Sequence, residues 1–252
     1  MLNYIRSEFY RVFHSKGIYV TLALLAACAI LINAVLACFG AVSPDFAYDN
    51  TSFAMQFLLQ LPLLYPFAAL LIVYVLYEGA GKNGNLKNAV AFGVSREKLL
   101  AGQFVVSTIV SLAAMVVTLG VYFACAYALL DFDATIAGTE VIRQVLCVLP
   151  TAIASLILAL LCVNMTDRGF VGILVWLLVM ILIPEIFRYV GYRVDVFAGI
   201  ADWMPGHFMD MQNATELFWR TGEGIGKCMI AGAAGVAVFG ISCWLVLRKK
   251  EM

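Results

Sequence analysis

Two glycine-rich stretches and two histidines are the residues whose types and spacing could do chemistry. Gly79-Ala80-Gly81-Lys82-Asn83-Gly84 has the G-x-G-x-x-G spacing that lets a backbone approach a dinucleotide pyrophosphate. That chemistry needs a strand before the glycines and a βαβ unit around them, whereas a long apolar run precedes them here. The glycines are better read as a sharp turn of the chain. Gly222-Glu223-Gly224-Ile225-Gly226-Lys227 resembles a phosphate-cradling loop, but Thr221 and Cys228 stand where Gly and Ser or Thr are required. His14 and His207 lie far apart, no HExxH occurs, and no pair of carboxylates falls within an apolar run. Metalloprotease and intramembrane-protease chemistry lack their parts. So does ion-coupled transport, which places acids at mid-membrane. The seven cysteines form no CxxC pair and read as small apolar packing residues rather than zinc ligands or disulfides.

The elements that must position any functional residue are apolar. The 252 residues are 63% hydrophobic and 13% charged, against roughly 45–50% and about 25% in soluble domains. Six runs, at 18–42, 53–77, 101–130, 142–164, 170–190 and 227–247, are long enough to cross a hydrocarbon core of about 30 Å as helices. Continuous runs of this length exclude barrel strands, which alternate over about 10 residues. The expected fold is an all-α integral membrane protein of six transmembrane helices, a single membrane domain over 1–252. Net charge is zero, so no nucleic-acid partner is implied.

Charge sets the expected orientation. With the N-terminus inside, the inner segments hold Arg6, Arg11, Lys16, Lys82, Lys87, Arg96, Lys98, Arg168, Arg248, Lys249 and Lys250, eleven of the sixteen basic residues. By the positive-inside rule both termini are cytoplasmic. Leu25-Ala26-Ala27-Cys28 has the look of a lipoprotein processing site, yet the apolar run continues to Val42 and five more follow. Residues 18–42 are therefore expected to span the membrane rather than to be cleaved.

Between the runs, residues 3–16 read as an amphipathic helix, with Ile5, Phe9, Val12 and Phe13 on one face. It is expected to lie in the cytoplasmic interface, as an elbow over 1–17. The second run carries Pro62 and Pro66, which predict a kink. Asn33, Gln56 and Gln60 are uncharged amides inside apolar runs. Two readings of them stand: polar contacts between helices, or the lining of a translocation path. The outer segment 191–226 is dense in aromatic residues, which predicts short helices on the outer interface. Glu185, at the end of the fifth run, is placed near that interface.

The segment Glu78 to Leu100, EGAGKNGNLKNAVAFGVSREKLL, is polar and basic between two long apolar runs. Its charges cannot enter lipid, where each costs about 2.5–3.5 kcal/mol on insertion scales. It is expected at the cytoplasmic surface, where a soluble partner can grip it. The block EGAGKNGNLKNAVAFGVSREKLLAGQ resembles the most recognisable segment of type-2 ABC exporter permeases, and LNYIRSEFYRVFHSKGIYV resembles their elbow helix. Glu78, Lys87, Asn88, Gly93, Ser95, Arg96 and Lys98 stand at the pattern positions. The chain departs at Gly84-Asn85, where many relatives carry Gly-Thr.

The resemblance implies a coupling helix within 78–100 that docks on a separate ATPase subunit, with Glu97 exposed beside Arg96 and Lys98. It implies ATP and Mg on that partner and no cofactor on this chain, which is then not itself an enzyme. It further implies a second permease copy, identical or paralogous, in the cytoplasmic membrane of a prokaryote. The cargo is expected to be amphipathic or lipid-like, such as an antimicrobial peptide or a drug, and to move outward. A secondary transporter and a non-transport scaffold or sensor are the alternative classes.

Overall fold

A computed structural model describes residues 2–43, 45–78, 93, 95–166, 169–210 and 224–249, with backbone alone at 96 and 247–249. Among the described residues the helices in chain order are α1 (Leu2–Phe13), α2 (Lys16–Val42), α3 (Thr51–Leu59), α4 (Leu64–Tyr77), α5 (Arg96–Leu129), α6 (Gly138–Met165), α7 (Gly169–Leu177), α8 (Ile183–Gly191), α9 (Asp195–Ala201), α10 (Pro205–Met209) and α11 (Gly224–Lys249). A π-helical turn, Leu178–Leu182, joins α7 to α8. Among the described residues there is no strand, only an isolated bridge between Asn50 and Asp131 that ties two loops at one end of the bundle.

Among the described residues five helical stretches are long and apolar enough to cross a membrane, or six if the bent pair α3–α4 is one span. They fall on the six expected runs. The expected single span 53–77 bends by 67° between α3 and α4. Pro62 and Pro66 lack the N–H groups that a continuous helix would bond to residues 58 and 62, so the chain breaks here and the end of α3 is left with carbonyls that need other donors. Gln144 of α6 donates to the Leu59 carbonyl at 2.6 Å, which satisfies one of them. Ser155 of α6 donates to the Pro66 carbonyl at 3.0 Å, and itself accepts from the Trp176 indole at 3.0 Å.

The fifth helix begins at Arg96 rather than near 101. Its 34 residues extend about 51 Å at 1.5 Å per residue, so its charged first turn protrudes beyond the apolar stretch. α6 sits at the centre, packed by α4, α7 and α11, and most of its apolar stretch is buried. α2, α5 and α11 keep most of their apolar surface outward, as expected of helices facing lipid. Small residues allow α11 to approach α6 closely: a Cβ on Gly232 would lie 2.7 Å from both the Pro150 Cβ and the Thr151 nitrogen.

Candidate functional site

α1 folds back against the start of α5, at the end of the bundle where α4 stops. Of its apolar face, Val12 is buried, while Ile5 and Phe9 are half-buried against the core. Phe13 alone is left 65% exposed. The face expected to dip into lipid is thus used largely for packing on the bundle. Tyr4 lies against Gly102 of α5, where any side chain would collide with its ring. Burial, and then the neighbouring Glu8 carboxylate, push the Tyr4 hydroxyl above its ordinary range, so it stays neutral.

Tyr77, the last residue of α4, is the hub of this end. The Arg11 guanidinium stands 4.9 Å above its ring, within cation–π range, and is held there by Glu8 at 2.5 Å. The Tyr77 hydroxyl donates to the Gln103 carbonyl at 3.4 Å. The Gln103 side chain accepts from Asn164 at 3.2 Å, and Asn164 also donates to Leu160 at 2.8 Å. α1, α4, α5 and α6 are thereby joined through one buried polar chain. Sequence reasoning did not single out Gln103 or Asn164, although they carry the signal that marked Asn33, an amide within an apolar stretch.

The residues at the pattern positions take separate places on this end. Glu78 is exposed, and its carboxylate lies against Gly169 at the start of α7, where an added side chain would displace it. A carboxylate at a helix N-terminus is favoured by the helix dipole. Lys87 and Asn88 lie outside the described residues, as do Gly79 to Gly84. Gly93 holds φ at +84°, in the left-handed region. Ser95 occupies the N-cap position of α5, and its side chain makes no capping bond. Arg96 opens the helix, Glu97 and Lys98 are exposed, and Leu99 is fully buried beneath them. The Trp244 indole of α11 donates to Glu97 at 3.3 Å. Glu78 and Glu97 therefore contact different helices, α7 and α11.

The amides in the apolar runs separate. Asn33 is completely buried and donates to Ala29 within α2 at 2.9 Å and to the Tyr122 carbonyl of α5 at 3.4 Å. It joins two helices. Gln56 and Gln60 are half-buried in the arm before the kink, and Gln60 is the C-cap of α3. None of the three lines the large cavity between α2, α4, α5 and α6, which holds about 580 Å³.

At the opposite end, Glu185 on α8 pairs with Arg188 at 2.7 Å, and Arg188 reaches Asp210 at 2.6 Å. His207 on α10 lies 3.6 Å from Asp202. Burial holds His207 below its usual value, and Asp202 opposes that shift. α9 and α10 supply the short helices expected in the outer segment, and residues 211–223 lie outside the described part. Gly224 to Lys227, the second half of the phosphate-loop-like stretch, form the first turn of α11.

Five to six apolar helical stretches, with an N-terminal helix packed on the start of α5, define a multi-pass membrane protein. The chain belongs to the ABC-2 family transporter protein family, whose profile matches residues 4–184, from α1 to the start of α8. No curated protein matches the chain. Membership makes the chain a membrane permease of an ABC transporter, a class that works with an ABC ATPase as partner.

Proposed function

We propose that this chain is the permease subunit of an ATP-driven exporter and carries no ATPase of its own. Two copies, or one copy and a paralogue, assemble with two ATPase subunits at the cytoplasmic membrane of a prokaryote. The segment 78–100 is the contact with the ATPase, on the cytoplasmic side. Arg96, Glu97 and Lys98 present the charged surface, and Glu78, Lys87, Asn88, Gly93 and Ser95 shape its frame. ATP and Mg are bound by the partner, and an amphipathic or lipid-like cargo moves outward.

The observation that carries this reading is the buried polar chain from Arg11 through Tyr77 and Gln103 to Asn164. Both stems of the segment, the end of α4 and the start of α5, are anchored in it. A push on the segment is therefore passed to four helices together rather than absorbed by one. Packed cores respond to such a push by discrete rigid-body shifts.

The test is purification of the tagged protein in mild detergent, with and without Arg96→Glu plus Lys98→Glu. The expected result is a co-purifying ABC ATPase that is lost in the charge-reversed protein. A well-folded preparation with no ATPase in either sample would move the scaffold and secondary-transporter readings forward.

A further inference from the structure

Packing on the bundle accounts for only one side of α1. Ile5, Phe9 and Val12 turn toward the core. Leu2, Arg6, Tyr10 and Phe13, spaced i, i+4, i+8 and i+11, form a strip that stays exposed. Leu2 is 82% and Tyr10 66% exposed. The Tyr10 ring is stacked on His14 with centroids 4.0 Å apart. The strip runs on into Lys16 and Tyr19 at the start of α2, both exposed, and the Tyr19 hydroxyl donates to the Phe13 carbonyl at 3.0 Å.

The strip carries charge of one sign. Arg6 and Lys16 have no carboxylate partner among the described residues. Glu8, the one acid of α1, is largely buried and paired with Arg11. Ser15, the N-cap of α2, makes no side-chain capping bond, so the positive end of that helix dipole lies beside the strip without a capping group.

Depth says what covers the strip. Three polar-to-apolar boundaries meet at α1. α2 begins at Lys16 and is uncharged from there to Val42. α4 ends at Tyr77, whose ring lies under Arg11. Tyr4 rests on Gly102 of α5, just past the last charge of that helix, Lys98. α1 therefore lies where the spans leave hydrocarbon for headgroups, and the headgroup layer is what its outward strip meets. Two cations, exposed aromatic rings and no acid suit a layer of negative charge.

We propose that this outward strip is a docking surface for anionic phospholipid. Leu2 and Phe13 enter the acyl boundary, and Tyr10 and Tyr19 lie among the headgroups. Arg6 gives a phosphate two parallel N–H bonds, and Lys16 acts on it as a point charge. Lipid held there also steadies the Arg11–Tyr77 contact on the inner side of the same helix. The surface rests on the membrane-spanning assignment alone, so it stands or falls separately from ATPase docking.

The test uses the full chain, with no ATPase present, in nanodiscs of phosphatidylglycerol and phosphatidylcholine in equal amounts. A diazirine high on the acyl chain is placed on one lipid or on the other, and labelled residues are mapped by mass spectrometry. Attraction to an anionic surface amounts to about fivefold per Lys or Arg. Phosphatidylglycerol is thus expected to label residues 2–19 about 25-fold more than phosphatidylcholine does. Ile109 and Val116, exposed on α5 and far from charge, are labelled alike by both. Arg6→Gln and Lys16→Gln each lower the ratio about fivefold and together bring it near one, whereas Arg6→Lys keeps it. Equal labelling of 2–19 by the two lipids in the parent protein overturns the proposal. So does no labelling of 2–19 by either lipid while Ile109 and Val116 are labelled, which gives the strip to a second copy or a soluble protein. Loss of the phosphatidylglycerol label on adding soluble glycerol phosphate overturns it too, in favour of a free phosphate ester.

Discussion

Gly93 shows at the residue scale what a motif position does physically. It sits two residues before the N-cap of α5 with φ at +84°. An added Cβ would meet nothing within 4 Å, so only the backbone resists substitution there. An L side chain in this conformation costs roughly 1–2 kcal/mol, and less for asparagine, whose side chain bonds locally. Gly93→Ala is expected to loosen the first turn of α5, while Gly93→Asn stays near the parent. Hydrogen exchange at the amides of residues 96–100 measures this, and equal protection in Gly and Ala proteins would contradict it. The motif marked Gly93 in the sequence, but the reason for it is a torsion angle that no spacing reveals. Arg11 illustrates the converse. Helical periodicity placed it off the apolar face of α1, yet it is the residue that reaches the Tyr77 ring. A period reports positions around one helix and says nothing about which neighbour lies alongside. Gln103 and Asn164 were illegible for the same reason, since their meaning lies in being opposite each other.

At the scale of elements, length and composition made the six crossings legible, and two prolines made the kink legible. What the sequence did not disclose is how the break is repaired. Gln144 and Ser155, both on α6, supply donors to carbonyls near it, which makes α6 the brace of the broken span. α6 in turn is pressed by α11, and at Gly232 the two backbones lie close together. A methyl at Gly232 would collide with Pro150 and with the Thr151 backbone, neither of which can turn away as a flexible side chain would. Gly232→Ala is therefore expected to destabilise by about 1–3 kcal/mol, the usual cost of overpacking. Gly240, on the same helix, has open space around its Cβ position. Gly240→Ala should match or slightly exceed the parent, since alanine is the better helix former. Apparent melting temperatures in detergent, read from the monodisperse fraction after heating, separate the two. A Gly240→Ala protein that melts as early as Gly232→Ala would remove close helix approach as the explanation.

For the whole molecule, the proposed orientation puts the end formed by α1 and the start of α5 in the cytoplasm, and it is argued from charge and from the proposed ATPase contact. Eleven of the sixteen basic residues fall within residues 1–17, 78–100, 165–169 and 248–252, and excess Lys and Arg mark the inner side. The second argument is mechanical. A soluble ATPase has to meet the bundle where force can enter several helices together. That end holds the Arg11–Tyr77–Gln103–Asn164 chain and the Trp244–Glu97 contact. The opposite end is tied by loop contacts between Thr51, Asp131 and Asp133 and by the Arg188 ion pairs. Single cysteines in a cysteine-free background resolve the orientation. Asn3 and Ala134 are both exposed, one on α1 and one in the loop between α5 and α6. Ala134→Cys is expected to react with a membrane-impermeant maleimide on intact cells. Asn3→Cys is expected to react only after permeabilisation. The reverse pattern would invert the protein and put segment 78–100 outside, beyond the reach of an ATPase that uses cytosolic ATP.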